Sequence, residues 1–378
     1  MRNEAPKQRQ SCFLPALIGL AAMIAGLGLP GLLAAESQTI DCDAQPLTAK
    51  SPQAGAQLGW SIAVQANGPW LAAGANLNDL DLARKDTGAV ALYLDPKPGD
   101  KPKIEIPSLE IPISDLQPND QFGFSVSIGG DWLAVGAPGG DGRVQDSGVV
   151  YVFHLQDGTW SQQAKLDARD ATRGAQFGFS VSLSGTTLVV GAPGDSGGGS
   201  FAGAAYVFEL PSGTSGPWNQ TAKLLPNDFR PFDEFGSAVA TDGSEIVVGS
   251  PFADDFTVFK NFGAAYVFKR AGGGWALEEH GKLTAGPFRA NNIQFGAAAA
   301  IGSSRIVVGA PGYDNANPNL TDSGSAYVFE RNGTDWISHT LIPEDPRESA
   351  QFGTAVQIAD NRVVIGAPFA FDRQGVTR

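Results

Sequence analysis

The sequence predicts an all-β fold built from repeated four-stranded antiparallel blades, on three observations. First, a short motif recurs six times. Gln121 to Pro138 reads QFGFSVSIGGDWLAVGAP, Gln176 to Pro193 reads QFGFSVSLSGTTLVVGAP, and further copies start at Gln57, Glu234, Gln294 and Gln351. The starts lie 55 to 64 residues apart, a period expected of propellers, solenoids and arrays. Second, apolar residues within each copy alternate with a period of two, the signature of a strand. Third, the faces opposite the large apolar groups carry Gly, Ser and Ala rather than charge, as expected where sheets stack on both sides. Together these observations point to a β-propeller.

The first 35 residues read as a secretory signal peptide. Arg2, Lys7 and Arg9 precede an uncharged apolar run from Phe13 to Ala35 that ends in small residues. Gly26, Gly28, Pro30 and Gly31 disfavour an uninterrupted spanning helix, so no membrane insertion is expected after cleavage. A secreted, periplasmic or cell-surface location follows. Residues 36–45 form a short linker and residues 46–378 the propeller. Only Cys42 remains beyond the signal, so no intramolecular disulfide can form and packing must supply stability. The net charge of −13 argues against nucleic acid as a partner, because phosphate contacts need a basic face.

Within one copy, Phe122, Phe124, Val126 and Ile128 alternate with Gly123, Ser125 and Ser127 to give a first strand. Gly129-Gly130-Asp131 turns the chain; Leu133, Val135 and Ala137 form a second strand, which Pro138 stops. A third strand runs from Val149 to Phe153, with counterparts at Ala204–Phe208, Ala264–Phe268 and Ser325–Phe329. A fourth begins at Trp160, Trp218, Trp275 and Trp336.

These copies resemble the FG-GAP repeat, named for its Phe-Gly and Gly-Ala-Pro signatures. The FG positions are Leu58-Gly59, Phe122-Gly123, Phe177-Gly178, Phe235-Gly236, Phe295-Gly296 and Phe352-Gly353. The GAP positions are Gly136 to Pro138, Gly191 to Pro193, Gly309 to Pro311 and Gly366 to Pro368, with variants at Gly249-Ser250-Pro251 and Gly74-Ala75-Asn76. The resemblance implies a β-propeller like the head of integrin α-subunits, and the short FG-to-GAP hairpin is similar to the bacterial secreted branch. Six FG-GAP repeats are visible, but only five AYVF-type strands, the first at Val90 to Leu94. The last blade therefore reads as incomplete, in either a six-bladed or a truncated seven-bladed propeller.

Integrin-type repeats carry an Asp-rich cation loop between FG and GAP. Here that stretch is GGD, SGT, DGS or GSS, too short to supply the six to eight oxygens calcium takes. Longer acidic loops follow GAP, including Asn76, Asn78, Asp79 and Asp81; Asp141 and Asp146; and Asp254 and Asp255. By ligand density the metal candidates are Asp314, Asn315, Asn317 and Asp322, and calcium is the cofactor they could take. The competing explanation is that Asp and Asn tolerate turn geometry. Gly194-Asp195-Ser196-Gly197-Gly198 matches the surroundings of a serine-protease nucleophile, but it occupies the post-GAP loop register, and His154, His280 and His339 show no catalytic-base pattern. The carboxylates before FG (Asp228 and Asp233; Glu344, Asp345 and Glu348) recur as solvated loops rather than as a singled-out glycosidase pair. Asp95 to Gln117 is a Pro-rich insertion that reads as a rim decoration or a lengthened connection.

No catalytic residue and no organic cofactor is expected. The reading is a non-catalytic, exported, adhesion-type propeller that binds a protein or glycan through its loops. The alternatives are a carbohydrate-active hydrolase on the same scaffold and a structural segment of a longer surface protein.

Overall fold

The computed structural model describes residues 57, 59–65, 68–77, 85–94, 116–211, 216–254, 261–286, 292–302, 304–314, 320–359 and 362–370. The signal and linker segments, most of the Pro-rich insertion, and Asn78, Asp79, Asp81, Asp255, Asn315 and Asn317 lie outside these residues.

Every regular element among the described residues is a strand. The first sheet holds β1 (Ser61–Val64), β2 (Trp70–Ala75) and β3 (Ala89–Leu94). Four complete blades follow: β4 (Ser125–Gly129), β5 (Trp132–Ala137), β6 (Val149–Gln156) and β7 (Thr159–Leu166); then β8 (Ser180–Ser184), β9 (Thr187–Ala192), β10 (Ala204–Glu209) and β11 (Asn219–Leu224). The next is β12 (Ala238–Thr241), β13 (Glu245–Ser250), β14 (Ala264–Ala271) and β15 (Gly274–Leu283), and the next β16 (Ala298–Gly302), β17 (Arg305–Ala310), β18 (Ser325–Asn332) and β19 (Asp335–Leu341). The last sheet pairs β20 (Ala355–Ala359) with β21 (Arg362–Gly366). All ladders are antiparallel meanders, and the first strands of successive sheets lie side by side. The all-β propeller-blade expectation therefore holds, with four strands in each of the four central blades.

Strand alternation sets the core. In β6, Val149, Tyr151 and Phe153 face the preceding blade, whereas Val150 and Val152 face the following one. The four central sheets are thus buried on both faces, which is why their third strands read as near-continuous apolar runs. The FG phenylalanines are the keystones of these layers. Phe122, Phe177, Phe235 and Phe295 are fully buried, each edge-on to the Tyr and Phe of its own third strand at centroid distances of 5.3 to 6.4 Å.

In one respect the first strand differs from its periodicity. Phe122 and Phe124 do not alternate along a strand, because β4 begins only at Ser125. The FG dipeptide is a turn: Gly123 has φ +88°, and the Phe124 N–H donates to the Gln121 carbonyl at 3.0 Å. Phe122 enters the inter-sheet layer, while Phe124 joins Trp60 and Phe179 in an aromatic ladder where neighbouring first strands meet. The alternation was real in sequence but arose from two different conformations.

Blades are locked together by backbone. The N–H of Phe177 donates to Ser147 O at 2.9 Å, and equivalent bonds join Phe122 to Thr87, Phe235 to Ala202, Phe295 to Phe262 and Phe352 to Ser323. The GAP glycine supplies the clearance. A Cβ built on Gly74, Gly136, Gly191, Gly249 or Gly309 would stand only 1.9 to 2.0 Å from the carbonyl oxygen of the next blade's FG glycine. Ser61, Ser125 and Ser180 add a hydroxyl donated to that same carbonyl at 2.7 to 2.8 Å. Both signatures of the repeat are therefore devices for joining one blade to the next.

Candidate functional site

The meander puts two kinds of connection on one face of the blades: the loop from the second to the third strand, after GAP, and the loop that leads into the next FG. This connection face carries most of the candidate residues. Several backbone positions in its loops are left-handed at every seam, among them the residue before FG (Gln121, Gln176, Glu234, Gln294 and Gln351 at φ 52° to 58°), and two of them change residue type between copies. The first lies two residues before the glycine that opens the third strand. It is held by Asp86, Asp146, Asn261 and Asp322 at φ 48° to 55°, and by Phe201 at φ 52°. The second lies three residues before the FG phenylalanine. It is held by Asn119, Gly174, Asn292 and Ser349 at φ 58° to 73°, and by Phe232 at φ 70°. Asn, Asp and Gly tolerate this region; a bulky side chain does not do so freely.

The acidic post-GAP residues serve the same geometry. Asp141 Oδ1 accepts the N–H of Asp146 at 2.9 Å, Asp254 Oδ1 that of Asn261 at 2.8 Å, and Asp314 Oδ1 that of Asp322 at 2.9 Å. One Asp in each loop thus braces the left-handed residue, a role that Asx side chains perform in turns generally. Of the four metal candidates, Asp314 and Asp322 are brought together in this way, and Asn315 and Asn317 lie outside the described residues. Among the described residues there is no cluster of three or more His, Cys, Asp or Glu side chains with metal-binding geometry.

The GDSGG loop is occupied by a structural network. Asp195 is fully buried; its Oδ2 accepts the Tyr206 hydroxyl at 2.8 Å, its Oδ1 accepts the Gly197 N–H at 2.9 Å, and Lys223 Nζ lies 3.2 Å away. Lys223 also pairs with Asp170 at 2.7 Å and covers the Tyr206 ring. Burial first, and then the Asp195 charge, push the Tyr206 hydroxyl far above its ordinary pKa. Ser196 Oγ donates to Gly194 O and accepts the N–H of Phe201, so it occupies the bracing position that Asp holds elsewhere.

The next blade repeats this clamp. Tyr266 donates to Asp228 at 2.9 Å, and Lys282 pairs with the same carboxylate. Asp228 is therefore committed. Asp233 is buried, and its Oδ2 accepts the Arg230 N–H at 2.8 Å; burial raises its pKa to about 6. Asp120 occupies the same register in the second blade, accepts the Gln117 N–H at 2.7 Å, and is raised to about 6 for the same reason. Asp345 pairs with Arg347 on the surface.

The histidines lie apart. His154 stacks on Trp132 at 4.0 Å, His280 lies 3.8 Å from Asp335 with both side chains exposed, and His339 pairs with Val328 within a ladder.

Sequence reasoning missed two groups. On the opposite face, where the hairpins turn, Arg331 forks onto buried Glu278 at 2.8 and 3.1 Å, reaches Glu245, and lies over Trp336. Lys269 adds a contact to Glu278 at 3.0 Å. Burial alone would raise the Glu278 carboxyl, but Arg331 and Lys269 outweigh it and hold it below the usual range. These residues are far apart in sequence, and no local spacing reports them. The second group is aromatic. Phe201, Phe229 and Phe232 are 46%, 36% and 62% exposed, and the rings of Phe201 and Phe232 stack at 6.1 Å and 13°. The signal for them was in the sequence: aligned copies carry Asp, Asn, Gly or Ser at the positions of Phe201 and Phe232.

A family model described as FG-GAP repeat matches residues 111–153, 160–208, 218–268 and 277–329, together just over half of the chain. Each match from residue 160 onward takes in most or all of the fourth strand of one blade and runs on into the third strand of the next. Among solved structures, the crystal structure of Saccharomyces cerevisiae Sqt1 is similar at 13% identity and a TM-score of 0.40, covering 82% of this chain and 80% of that one.

Proposed function

Because this chain belongs to the FG-GAP repeat family, with both signatures spent on joining blades, we propose that it is a non-catalytic, exported interaction module that binds a partner through its connection-face loops. One observation carries this reading. The copies agree where blade meets blade and diverge where loops meet solvent, so the surface that varies is the surface available for recognition. The carboxylates that resembled catalytic groups support it. Asp195 and Asp228 hold Tyr and Lys partners, and Asp141, Asp254 and Asp314 brace turns. Export rests on the N-terminal basic and apolar segments, and identifying the mature N-terminus after expression from the full reading frame tests it.

The hydrolase alternative has one observation in its favour: the raised Asp233 carboxyl is in the range of a general acid. Against it, Asp233 is buried and its Oδ2 is bonded to the Arg230 backbone. Incubating the purified chain with a panel of glycans separates the two readings. The interaction reading expects no turnover; turnover that Asp233→Asn abolishes would replace it with the hydrolase. Calcium at the Asp314 loop is a separate proposal, tested by melting with added calcium and with chelator.

A further inference from the structure

The seam between the third and fourth blades breaks the rule that the other four obey. At the seam that follows it, Asn261 donates from Nδ2 to Asn292 Oδ1 at 2.9 Å, an arrangement that suits two left-handed residues at a wet surface. Here the same two positions are Phe201 and Phe232, and the backbone frame is unchanged: Phe232 N–H donates to Ser200 O at 2.9 Å, and Glu234 N–H to Phe201 O at 3.1 Å. Two bulky residues thus hold strained backbone at once, while 46% of Phe201 and 62% of Phe232 stay exposed and only their mutual stack offsets the strain.

The surroundings are fitted to them. A Cβ on Gly198 would stand 2.7 Å from the Phe229 ring, and one on Gly199 would stand 3.3 Å from Pro231, so the glycine-rich loop lies flat beneath these side chains. Loops from two blades thereby form one apolar surface. Strain combined with exposed apolar rings is what a contact site leaves visible when its partner is absent.

We infer that Phe201, Phe229 and Phe232 form the docking site for a protein partner that presents aliphatic or aromatic side chains from a basic surface. The inference rests on the interaction reading above and deepens it. Phenyl rings offer no hydrogen bond, so they match aliphatic or aromatic side chains in full but only the C–H face of a sugar, leaving its hydroxyls unmatched by the rings. Two nearby cations are already compensated, Lys223 by Asp170 and Asp195 and Lys282 by Asp228. The chain's net charge of −13 draws a cationic partner and repels a second copy.

The test is to pan a random dodecapeptide phage library on the full chain and measure the enriched peptides against the wild type and Phe201→Asn/Phe232→Asn. The double variant restores the pair that Asn261 and Asn292 already form, so its melting temperature is expected to be equal or higher. Enriched peptides should carry aromatic or aliphatic residues beside Lys or Arg and should lose at least about tenfold in affinity for the variant. Failure to enrich any peptide, or enrichment of acidic ones, overturns the inference. Equal binding by the variant also overturns it, yet leaves the interaction reading standing; no peptide together with glycan turnover defeats both. A sedimenting dimer that the variant dissolves would reassign the site to a second copy.

Discussion

Replacing the GAP glycine of the third blade by alanine tests the seam directly. In Gly191→Ala the new Cβ would fall 2.0 Å from Gly236 O and 2.3 Å from Ser180 Oγ, where real Cβ contacts start at about 3.0 Å. The first obstacle is backbone, so the FG turn of the fourth blade must retreat by roughly an ångström. Overpacking of this kind costs about 1–3 kcal/mol, and the Ser180 hydroxyl bond to Gly236 is worth about 1 kcal/mol more. The expected loss is therefore about 2–4 kcal/mol. Gly185→Ala is the control. Gly185 turns a hairpin at φ +56°, and a Cβ added there would meet nothing within 4 Å, so only the left-handed penalty of about 1 kcal/mol applies. Urea unfolding followed by tryptophan fluorescence reads both variants. Equal losses in the two variants would refute the clearance argument, because glycine would then be required for its φ alone or not at all.

Other perturbations probe the side-chain networks. Arg331→Ala leaves Glu278 buried with only Lys269 beside it and is expected to cost about 3 kcal/mol in urea; a neutral result would mean that the fork contributes nothing. Tyr206→Phe removes the donor to fully buried Asp195 and should cost about 2 kcal/mol by the same assay. Asp120 and Asp233 bind protons near pH 6 when folded but near the ordinary 3.8 when unfolded, so the stability they add at low pH should be lost as pH rises through 6, by about 3 kcal/mol for each group. Asp120→Asn/Asp233→Asn should flatten that slope between about pH 4 and about pH 6.5, and an unchanged slope would contradict the assignment. Glu278 works in the opposite direction: its depressed value adds stability that is lost only as pH falls below the ordinary carboxylate range. Asp314→Ala should lower stability by about 1 kcal/mol without any cation, through loss of the Asp322 brace; a calcium-dependent melting shift that this variant removes would instead make the loop a cation site.

The legible part of the fold was the part written locally. Alternation in Leu133, Val135 and Ala137 gave β5, and the AYVF runs gave the doubly buried third strands, because a period of two needs only neighbours in sequence. The FG turn reads as strand in sequence because Phe122 and Phe124 fit the alternation, although Gly123 at φ +88° breaks it. The dismissal of GDSGG came from repeat register, and the structure gives Asp195 a different task, as acceptor for Tyr206. Contacts between blades were not legible. Glu278 and Arg331 are 53 residues apart, and nothing in spacing alone pairs them. Phe201 and Phe232 were legible only by comparing copies position by position, since an isolated phenylalanine in a loop carries no message until its register demands a left-handed backbone.

The central claim is that residues shared by the copies build the scaffold, while residues that break their own register serve contact. The unfolding free energy of Phe201→Asn/Phe232→Asn tests it most directly. Relief at two left-handed positions and a regained amide pair outweigh one lost ring stack, so the double variant should be about 1 kcal/mol more stable than the wild type. A loss of about 1 kcal/mol or more would show that the two rings hold the fold together, and would contradict the claim.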